Sequence, residues 1–596
     1  MFVKDFRKGF YDAIQHQYLI FVLKYLFINL LHTTILATSR TLNHDNYTSA
    51  RVLVLVGFDV DALCACRILQ NLFQSDQILY TIIPVTGKEE LERSYVENSE
   101  GIKHVIMINC GGGIDVVETL QPEDCVRFYI CDSHRPVDVH NIFNAVQVKL
   151  LMKEDEFDNL PDYDDLFRED ESDEDSGNDS DSSERSTKRK RFDDEAIDKR
   201  RERRLWEEKR TKFLFDYEQF TTYGTSAALI MFELAWKMSK DTNDLLWLAI
   251  LGVTDQYIHY KTPRDKYIDD VMALQSHVSR HNHRGDDDNI ISINCLKLTF
   301  DEELQLALYR HWSLFESICH TVSLSCKFKV WTLKGQKRLH EFLAEMGLPL
   351  TQCKQKFASM DSSLRADIKP LIQSHMEKYG LVAQDVIVPS FSAQYGYKNK
   401  LCAMDVTLSC ASILEAIDKG KTPTDNFLNA QDILQRVNVS AMEKGLETAK
   451  KQLQAIVTQV QTFLDMHQVI SAGPFLYAFV QEGTHDVKYF SKPQCLMRLA
   501  RYTLEAHCAM SRNKRARSMP LVLGTPLDIE QGTTLVIGIP PLQMDDERKN
   551  FFGKAFEQAA ASTNSRTLHD CFDTFVMEMK TEDRSKFFDA LISLLQ

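Results

Sequence analysis

The sequence predicts an α/β protein built on a doubly wound parallel sheet, followed by a helical insert and a C-terminal α+β region. Three observations carry this reading. Apolar runs at Val52 to Gly57, His104 to Ile108 and Val126 to Cys131 are rich in β-branched and Leu residues, the mark of strands buried on both faces. Helical periodicity separates them, as in βαβ units. Each run ends in polar residues, where open α/β sheets place their ligand sites.

Taken in order, the first region reads as strand Arg51–Val56, helix Leu63–Phe73, strand Gln77–Pro84, helix Lys88–Glu97, and strands His104–Asn109, Val126–Cys131 and Ala145–Leu150. Helices at Tyr223–Ser239 and Thr242–Val253 complete this domain, which is expected to span 1–150 and 213–262. From 263 to 381 the pattern is helical, with helices at Tyr267–Arg280, Leu304–Ile318, Lys334–Glu345, Leu350–Ala358 and Ser363–Tyr379 and one strand at Ile291–Leu298. Trp312, Phe315, Phe328 and Trp331 fall on apolar faces and read as core. The α+β region, 382–596, carries expected strands at Val386–Phe391, Leu401–Ser409, Pro474–Phe479, Leu521–Leu523 and Thr533–Ile539. A long amphipathic helix lies within Asn429–His467, with further helices at Arg548–Ala561 and Arg584–Leu595.

The strand ends carry the chemistry. Asp59 and Asp61 follow the first strand as an Asp-x-Asp pair, and alternate residues on an extended backbone face one way. Asn109 begins Asn-Cys-Gly-Gly-Gly after the second buried run. Asp132, Ser133 and His134 follow the third, and Asp255 lies just past the helical run Leu245 to Val253. Strand ends of this order resemble the DHH phosphoesterase superfamily, which includes RecJ-type exonucleases. The resemblance implies that Asp59, Asp61, Asp132, His134 and Asp255 stand where the superfamily holds two Mn²⁺ or Mg²⁺ ions, which clamp an attacking water and a phosphate. Two positions depart from it. Asn109 replaces a bridging carboxylate and Ser133 an imidazole, and a Gly-Gly-Gly-His substrate loop is missing. The seven residues are expected to be remnants of a phosphoesterase site, with no catalytic role, no bound metal and no cofactor. Asp59, Asp61 and Asp132 are expected to cap helices instead.

Longer segments narrow the resemblance: GFDVDALCAC, CDSHRP, LFDYEQF with YGTSAALIMFELAW, HVSRHNHR, KGQKRLHEFLAEMGLPL and RKNFFGKAFEQAA. With the opening Met1-Phe2-Val3 and Asp5-Phe6-Arg7, they are similar to the eukaryotic cell-division-cycle forty-five family, the RecJ-related subunit of the replicative helicase. The resemblance implies a nuclear replication initiation and elongation factor. Its partners would be the minichromosome-maintenance ring, the GINS complex, replicative polymerases and initiation factors, with weak single-stranded DNA binding and no membrane association. The rival reading is an active metal-dependent single-strand exonuclease or phosphodiesterase, against which Asn109 and Ser133 stand. In the helical insert, an apolar patch including Phe342, Met346 and Leu348, rimmed by Lys337 and Arg338, is expected to bind a partner protein. Around Gly396, the run Gln394 to Lys400 offers aromatic and basic groups of the kind that contact single strands, but an exposed turn accounts for it more simply.

Composition sets further bounds. The net charge of −15 is uneven, because Glu154 to Glu184 alone holds 16 acidic residues against one Arg. The rest of the chain is near neutral. That stretch has almost no apolar residues after Phe167, so 151–212 is expected to be a disordered linker, acidic and then basic. The basic cluster Lys188, Arg189, Lys190 and Arg191 reads as a nuclear import signal. Fourteen Cys without a CxxC pair point to reduced thiols and not to disulfides or a zinc ribbon. His277, His281 and His283 lie among arginines and read as a basic helix end. Residues 18–50 read as an atypical apolar insertion; Lys24, Asn29 and His32 interrupt it, which argues against a membrane anchor.

Overall fold

The computed structural model describes residues 3, 5–15, 51–157, 160–168, 186–285, 296–395, 400–418, 420–435, 438–484, 486–544 and 547–596, with side chains left out at 186–200, 283–285, 395, 439 and 514. The expectations for 18–50, the serine-rich acidic run and Gly396 lie outside these residues. No helix among the described residues is long and apolar enough to cross a membrane.

Five parallel strands form the first sheet: β1 (Val52–Gly57), β2 (Tyr80–Val85), β3 (His104–Ile108), β4 (Arg127–Cys131) and β5 (Val148–Leu150), in the order β2-β1-β3-β4-β5. Strand alternation splits their side chains between two cores. Val52, Val54, Val56, Ile106, Ile108, Tyr129 and Cys131 enter one, and Leu53, Leu55, Val105, Met107, Phe128 and Ile130 enter the other. This two-sided burial explains why the runs are continuous rather than alternating. On the first face lie α1 (Val60–Ser75), α2 (Ala227–Lys237) and α3 (Asn243–Ile258), which pack on one another.

The helical insert hangs on a strand pair. α4 (Arg264–Gly285) leads to β6 (Leu296–Leu304), which pairs antiparallel with β7 (Ile387–Tyr395) along its whole length, from Leu296 opposite Tyr395 to Leu304 opposite Ile387. Helices between these strands build a separate core from Leu314, Phe328, Leu339, Phe342 and Ile372. The expected helix Leu304–Ile318 is instead the end of β6, a short 3-10 turn at Tyr309–His311 and a helix at Leu314–His320. Ser313 caps that helix by accepting from the Glu316 N–H at 3.1 Å.

Past the insert, a short strand β8 (Leu401–Cys402) turns into α5 (Ala403–Leu414), so the strand expected at Leu401–Ser409 is mostly helix. Nearly every side chain of α5 is buried. A helix covered on all sides shows no amphipathic period, and the short apolar run is then ambiguous. α6 (Val439–Asp465) follows. Residues from Val388 to Ala449 share the core of the parallel sheet, while Ala455, Ile456 and Val460 belong to the C-terminal core. The change of core therefore falls partway along α6 and not near the expected boundary at 382. Beyond α7 (Pro493–Met510) lies most of a six-stranded mixed sheet. Its strands are β9 (Ile470–Ser471), β10 (Leu476–Phe479), β11 (Leu521–Asp528), β12 (Thr533–Ile539), β13 (Thr567–Leu568) and β14 (Val576–Lys580), ordered β9-β10-β11-β12-β14-β13.

The linker expectation is corrected in part. Backbone helix covers Tyr163–Leu166 and Ser186–Glu218. The mixed charges of the second stretch suit a solvated helix, as Arg203 and Glu207 pair at 3.2 Å one turn apart. Lys188, Arg189, Lys190 and Arg191 fall on this helix.

Candidate functional site: a self-neutralised carboxylate cluster

The strand ends bring the sequence-predicted residues together, and Asp59, Asp61 and Asp132 already accept hydrogen bonds from within the chain. Asp59 caps α1, accepting from the Ala62 N–H at 2.7 Å. Asp61, 1% exposed, faces the start of α2. It accepts from the Ser226 hydroxyl at 2.5 Å and from the Ala227 and Ala228 N–H groups at 2.9 Å each. Burial, and next the neighbouring charge of Asp59, push the Asp61 carboxyl up to about 6, although these donors pull it down. Gly252 permits the approach of α3, since a Cβ there would lie 2.6 Å from Asp61 Oδ1.

Asn109 joins the two. Its Nδ2 lies 3.2 and 3.3 Å from the Asp59 oxygens and 3.1 Å from Asp61 Oδ2. Its Oδ1 accepts the Ser133 N–H at 3.0 Å, and a backbone donor needs an oxygen there, so the amide orientation is fixed. The residue is held in the left-handed region, φ 48°. A divalent-ion site would need an oxygen ligand at this place; the chain supplies an N–H donor.

Asp132 accepts from the Gly112 N–H at 2.8 Å and the His134 N–H at 2.9 Å, and its Oδ1 lies 2.6 Å from His134 Nδ1. His134 Nε2 lies 3.3 Å from Asp573 Oδ1, a carboxylate from the C-terminal region. Burial disfavours the imidazolium, but Asp132 and Asp573 overcome this and hold His134 at about 10. Asp573 also accepts from the Tyr223 hydroxyl, and its carboxyl is pulled well down by His134 and Lys261 against the effect of burial. Lys261 Nζ stands 3.8 Å from Asp59 Oδ2 and over the Tyr223 ring. Burial works against its charge, yet the surrounding carboxylates, Asp59 first, raise its pKa. Asp255, fully buried, lies 2.9 Å from His259 Nδ1; burial works to raise its carboxyl, but His259 and then Lys261 together pull it down. Ser133 is buried and its hydroxyl joins none of these contacts. An amide, an imidazole and an ammonium group thus stand among the carboxylates. This donor set does not fit a two-ion site.

The chain is similar to known proteins over its length. The CDC45 family model matches residues 52–186 and 152–594. The chain belongs to the CDC45 family. It is 47% identical to the Cell division control protein 45 homolog of Homo sapiens and 48% identical to that of Mus musculus, in each case over 100% of both chains. Among solved structures, CDC45 from Entamoeba histolytica matches with a TM-score of 0.65 at 22% identity, covering 91% of this chain and 95% of that one.

In this CDC45-family chain the cluster opens on a cleft of about 350 Å³ lined by Asp59, Asn109, His134, Lys261 and Asp573, with Lys421, Lys488 and Lys492 on its outer wall. At its far side the Glu415 carboxylate accepts from the Gln494 and Cys495 N–H groups at 2.8 and 2.9 Å, satisfying the first turn of α7 from within the chain. Sequence reasoning missed Lys261, Asp573, Tyr223 and His259. His259 stands four residues after Asp255, a spacing that puts both on one helical face. No local signal marks Asp573, which depends on the C-terminal region closing over the sheet.

The expected partner patch is corrected. Phe342, Met346 and Leu348 are 2 to 3% exposed. Phe342 packs against Phe328 and Tyr379 with ring centroids 5.2 and 5.0 Å away. These side chains are the core of the insert and not a surface. Arg338 donates to the Tyr379 carbonyl at 2.7 Å, and of the predicted set Lys337 and Arg338 stay exposed.

Proposed function

We propose that this chain is a non-catalytic DNA replication factor of the nucleus, an accessory subunit that bridges the minichromosome-maintenance ring and the GINS complex. Family membership supports the assignment, and one observation carries the non-catalytic part: the Asn109 amide donates to Asp59 and Asp61 where a bridging carboxylate would receive an ion. An ammonium at Lys261 and an imidazolium at His134 then do the work of charge compensation that divalent ions do in a phosphoesterase. Single-stranded DNA binding is weak on this reading, because Lys421, Lys488 and Lys492 share the cleft with Glu415 and Asp418, and the deeper cluster is already neutralised from within. The helical insert docks on partners through exposed residues such as Lys337.

The test has two arms. The purified chain with Mn²⁺ and 5′-labelled single-stranded DNA should release no more nucleotide than an Asp59→Ala, Asp61→Ala variant. Release abolished by that double change overturns the non-catalytic reading. In parallel, the chain should co-purify with the minichromosome-maintenance ring and GINS from replicating nuclear extract, and Lys337→Glu should weaken that association without shifting the thermal transition of the free chain.

A further inference from the structure

A second cluster stands at the same edge of the sheet. Asp115 caps the short helix Val116–Leu120 after β3, Asp138 caps the short helix Val139–Phe143 after β4, His140 lies in that second helix, and one ligand atom of each lies within 4.8 Å of the others. From these we infer that the chain has a zinc site, formed by Asp115, Asp138 and His140 and distinct from the Asp59 cluster.

Four features support this. The ligand types are those zinc takes, one imidazole nitrogen and two carboxylate oxygens. The spacing fits as well: His140 Nδ1 lies 3.1 Å from Asp138 Oδ1 and 3.6 Å from Asp115 Oδ2. Ligands about 2.1 Å from a tetrahedral ion stand ~3.4 Å apart, so an ion fits with little movement of the three groups. Third, no ammonium or amide side chain stands among the three groups; the donors present are backbone N–H groups at the starts of two short helices, and Asp138 Oδ1 accepts one of them, from His140, at 2.8 Å. Asp115 spends Oδ1 on the Val117 and Glu118 N–H groups, both at 3.0 Å, which leaves Oδ2 directed toward His140. In the Asp59 cluster, by contrast, Asn109 and Lys261 bring donors among the oxygens. Fourth, the two segments are held together beneath the site. Buried Asn141 accepts from the Val116 N–H at 3.2 Å and donates to the Ile114 carbonyl at 2.5 Å and the Gly111 carbonyl at 3.2 Å. A scaffold of this kind keeps three ligands from two segments in register before an ion arrives.

The site has one open side. The side chains of Asp115, Asp138 and His140 are 19, 26 and 42% exposed, which gives a water room to complete a tetrahedral set. The Phe167 ring meets the His140 ring edge-on at 5.3 Å, next to the short helix Tyr163–Leu166. A bound ion would therefore pin together the segments after β3 and β4 and the one that leads into the acidic stretch. It is a structural tie and not a catalytic centre.

The experiment uses the full chain, stripped with EDTA, and compares it with an Asp115→Asn, His140→Gln variant. Asn retains a side-chain oxygen for the helix cap, and Gln keeps a polar side chain at the exposed position. Zinc is titrated in competition with a chromophoric chelator, and cobalt is titrated separately by absorption. The unmodified chain should hold one more equivalent of zinc than the variant, at least tenfold more tightly than any other site, and show a cobalt d–d spectrum of nitrogen and oxygen ligation. Equal zinc uptake by both chains, or a thiolate-to-cobalt charge-transfer band for that equivalent, overturns the site. If the double variant does not share the thermal transition of the EDTA-treated parent, Asp138→Asn alone replaces it in the same comparison. Zinc should also raise the midpoint of the unmodified chain only.

Discussion

Two carboxylate clusters sit at the same edge of one parallel sheet and differ in what lies between the oxygens. Around Asp59, Asp61, Asp132, Asp255 and Asp573 the chain has placed its own donors: the Asn109 amide, the Lys261 ammonium, and the His134 and His259 rings. Around Asp115 and Asp138 the side chain that faces the oxygens is the His140 imidazole, beside backbone N–H groups of Val117, Glu118 and His140, and the group is open to solvent. A buried cluster of like charges is stable only when compensated from within, whereas an exposed one is screened by water. The first cluster is therefore part of the folding core, and the second contributes little to stability until something binds it.

The widest gap between the two should appear on removing Asp61. Its carboxylate satisfies the Ser226 hydroxyl, the Ala227 and Ala228 N–H groups and the Asn109 amide, all buried. Asp61→Ala strands these donors and should cost about 3 kcal/mol or more. The urea midpoint of the free chain measures it. A loss under about 1 kcal/mol would mean that water enters the cavity and that the cluster is not core.

Restoring the missing carboxylate should sharpen the contrast. Asn109→Asp replaces a donor shared by Asp59 and Asp61 with a third negative charge, and should destabilise the chain by about 2–3 kcal/mol in EDTA. Because the added oxygen completes an ion-binding set, millimolar Mn²⁺ should recover part of that loss in the variant and none in the parent. Thermal denaturation with and without Mn²⁺ reads both. Mn²⁺ stabilisation of the parent at this site would show that its donors do yield to an ion.

The imidazole at the centre gives a pH signature. His134 is held at about 10, since Asp132 and Asp573 overcome the opposing effect of burial. An unfolded His titrates near about 6.5, so the native state binds the proton more tightly and its contribution is full below that pH. Stability should then fall as pH rises from about 6.5 toward about 10, by roughly 4 kcal/mol. His134→Asn should flatten this slope and also weaken the acid limb, because His134 is the main group that holds the Asp132 and Asp573 carboxyls down against burial. Unfolding at a series of pH values compares them, and an unchanged alkaline slope in the variant would assign the loss to other groups.

How far the sequence foretold these clusters follows from what local patterns encode. The parallel strands were legible because burial on both faces writes continuous apolar runs, and Asp59, Asp61, Asn109 and Asp132 were legible because they stand at the ends of those runs. Lys261 and Asp573 were not, since their place depends on chain closure over hundreds of residues. The helix Ala403–Leu414 was read as strand, because burial on every side erases the period that separates the two. Phe342, Met346 and Leu348 look like a binding patch in sequence because an amphipathic helix has the same pattern whether its apolar face meets a partner or the chain's own core. Asp115, Asp138 and His140 carried no signal, as helix-capping Asp residues are common and the two segments meet only through the β3–β4 pairing.

The smallest expected effect belongs to the exposed cluster. In EDTA, Asp115→Ala removes a cap from the helix Val116–Leu120 and should cost about 1 kcal/mol, while Asp115→Asn keeps an acceptor and should cost a few tenths. Both changes leave the buried cluster untouched, so His134 should keep its alkaline slope in each. With zinc present, the parent should gain stability and both variants should not, which widens the gap between parent and Asp115→Asn although the cap is intact. Chemical denaturation of the three chains, with and without zinc, separates the two roles of Asp115. Equal stabilisation of parent and Asp115→Asn by zinc would leave Asp115 as a helix cap alone and return the contrast between the clusters to burial.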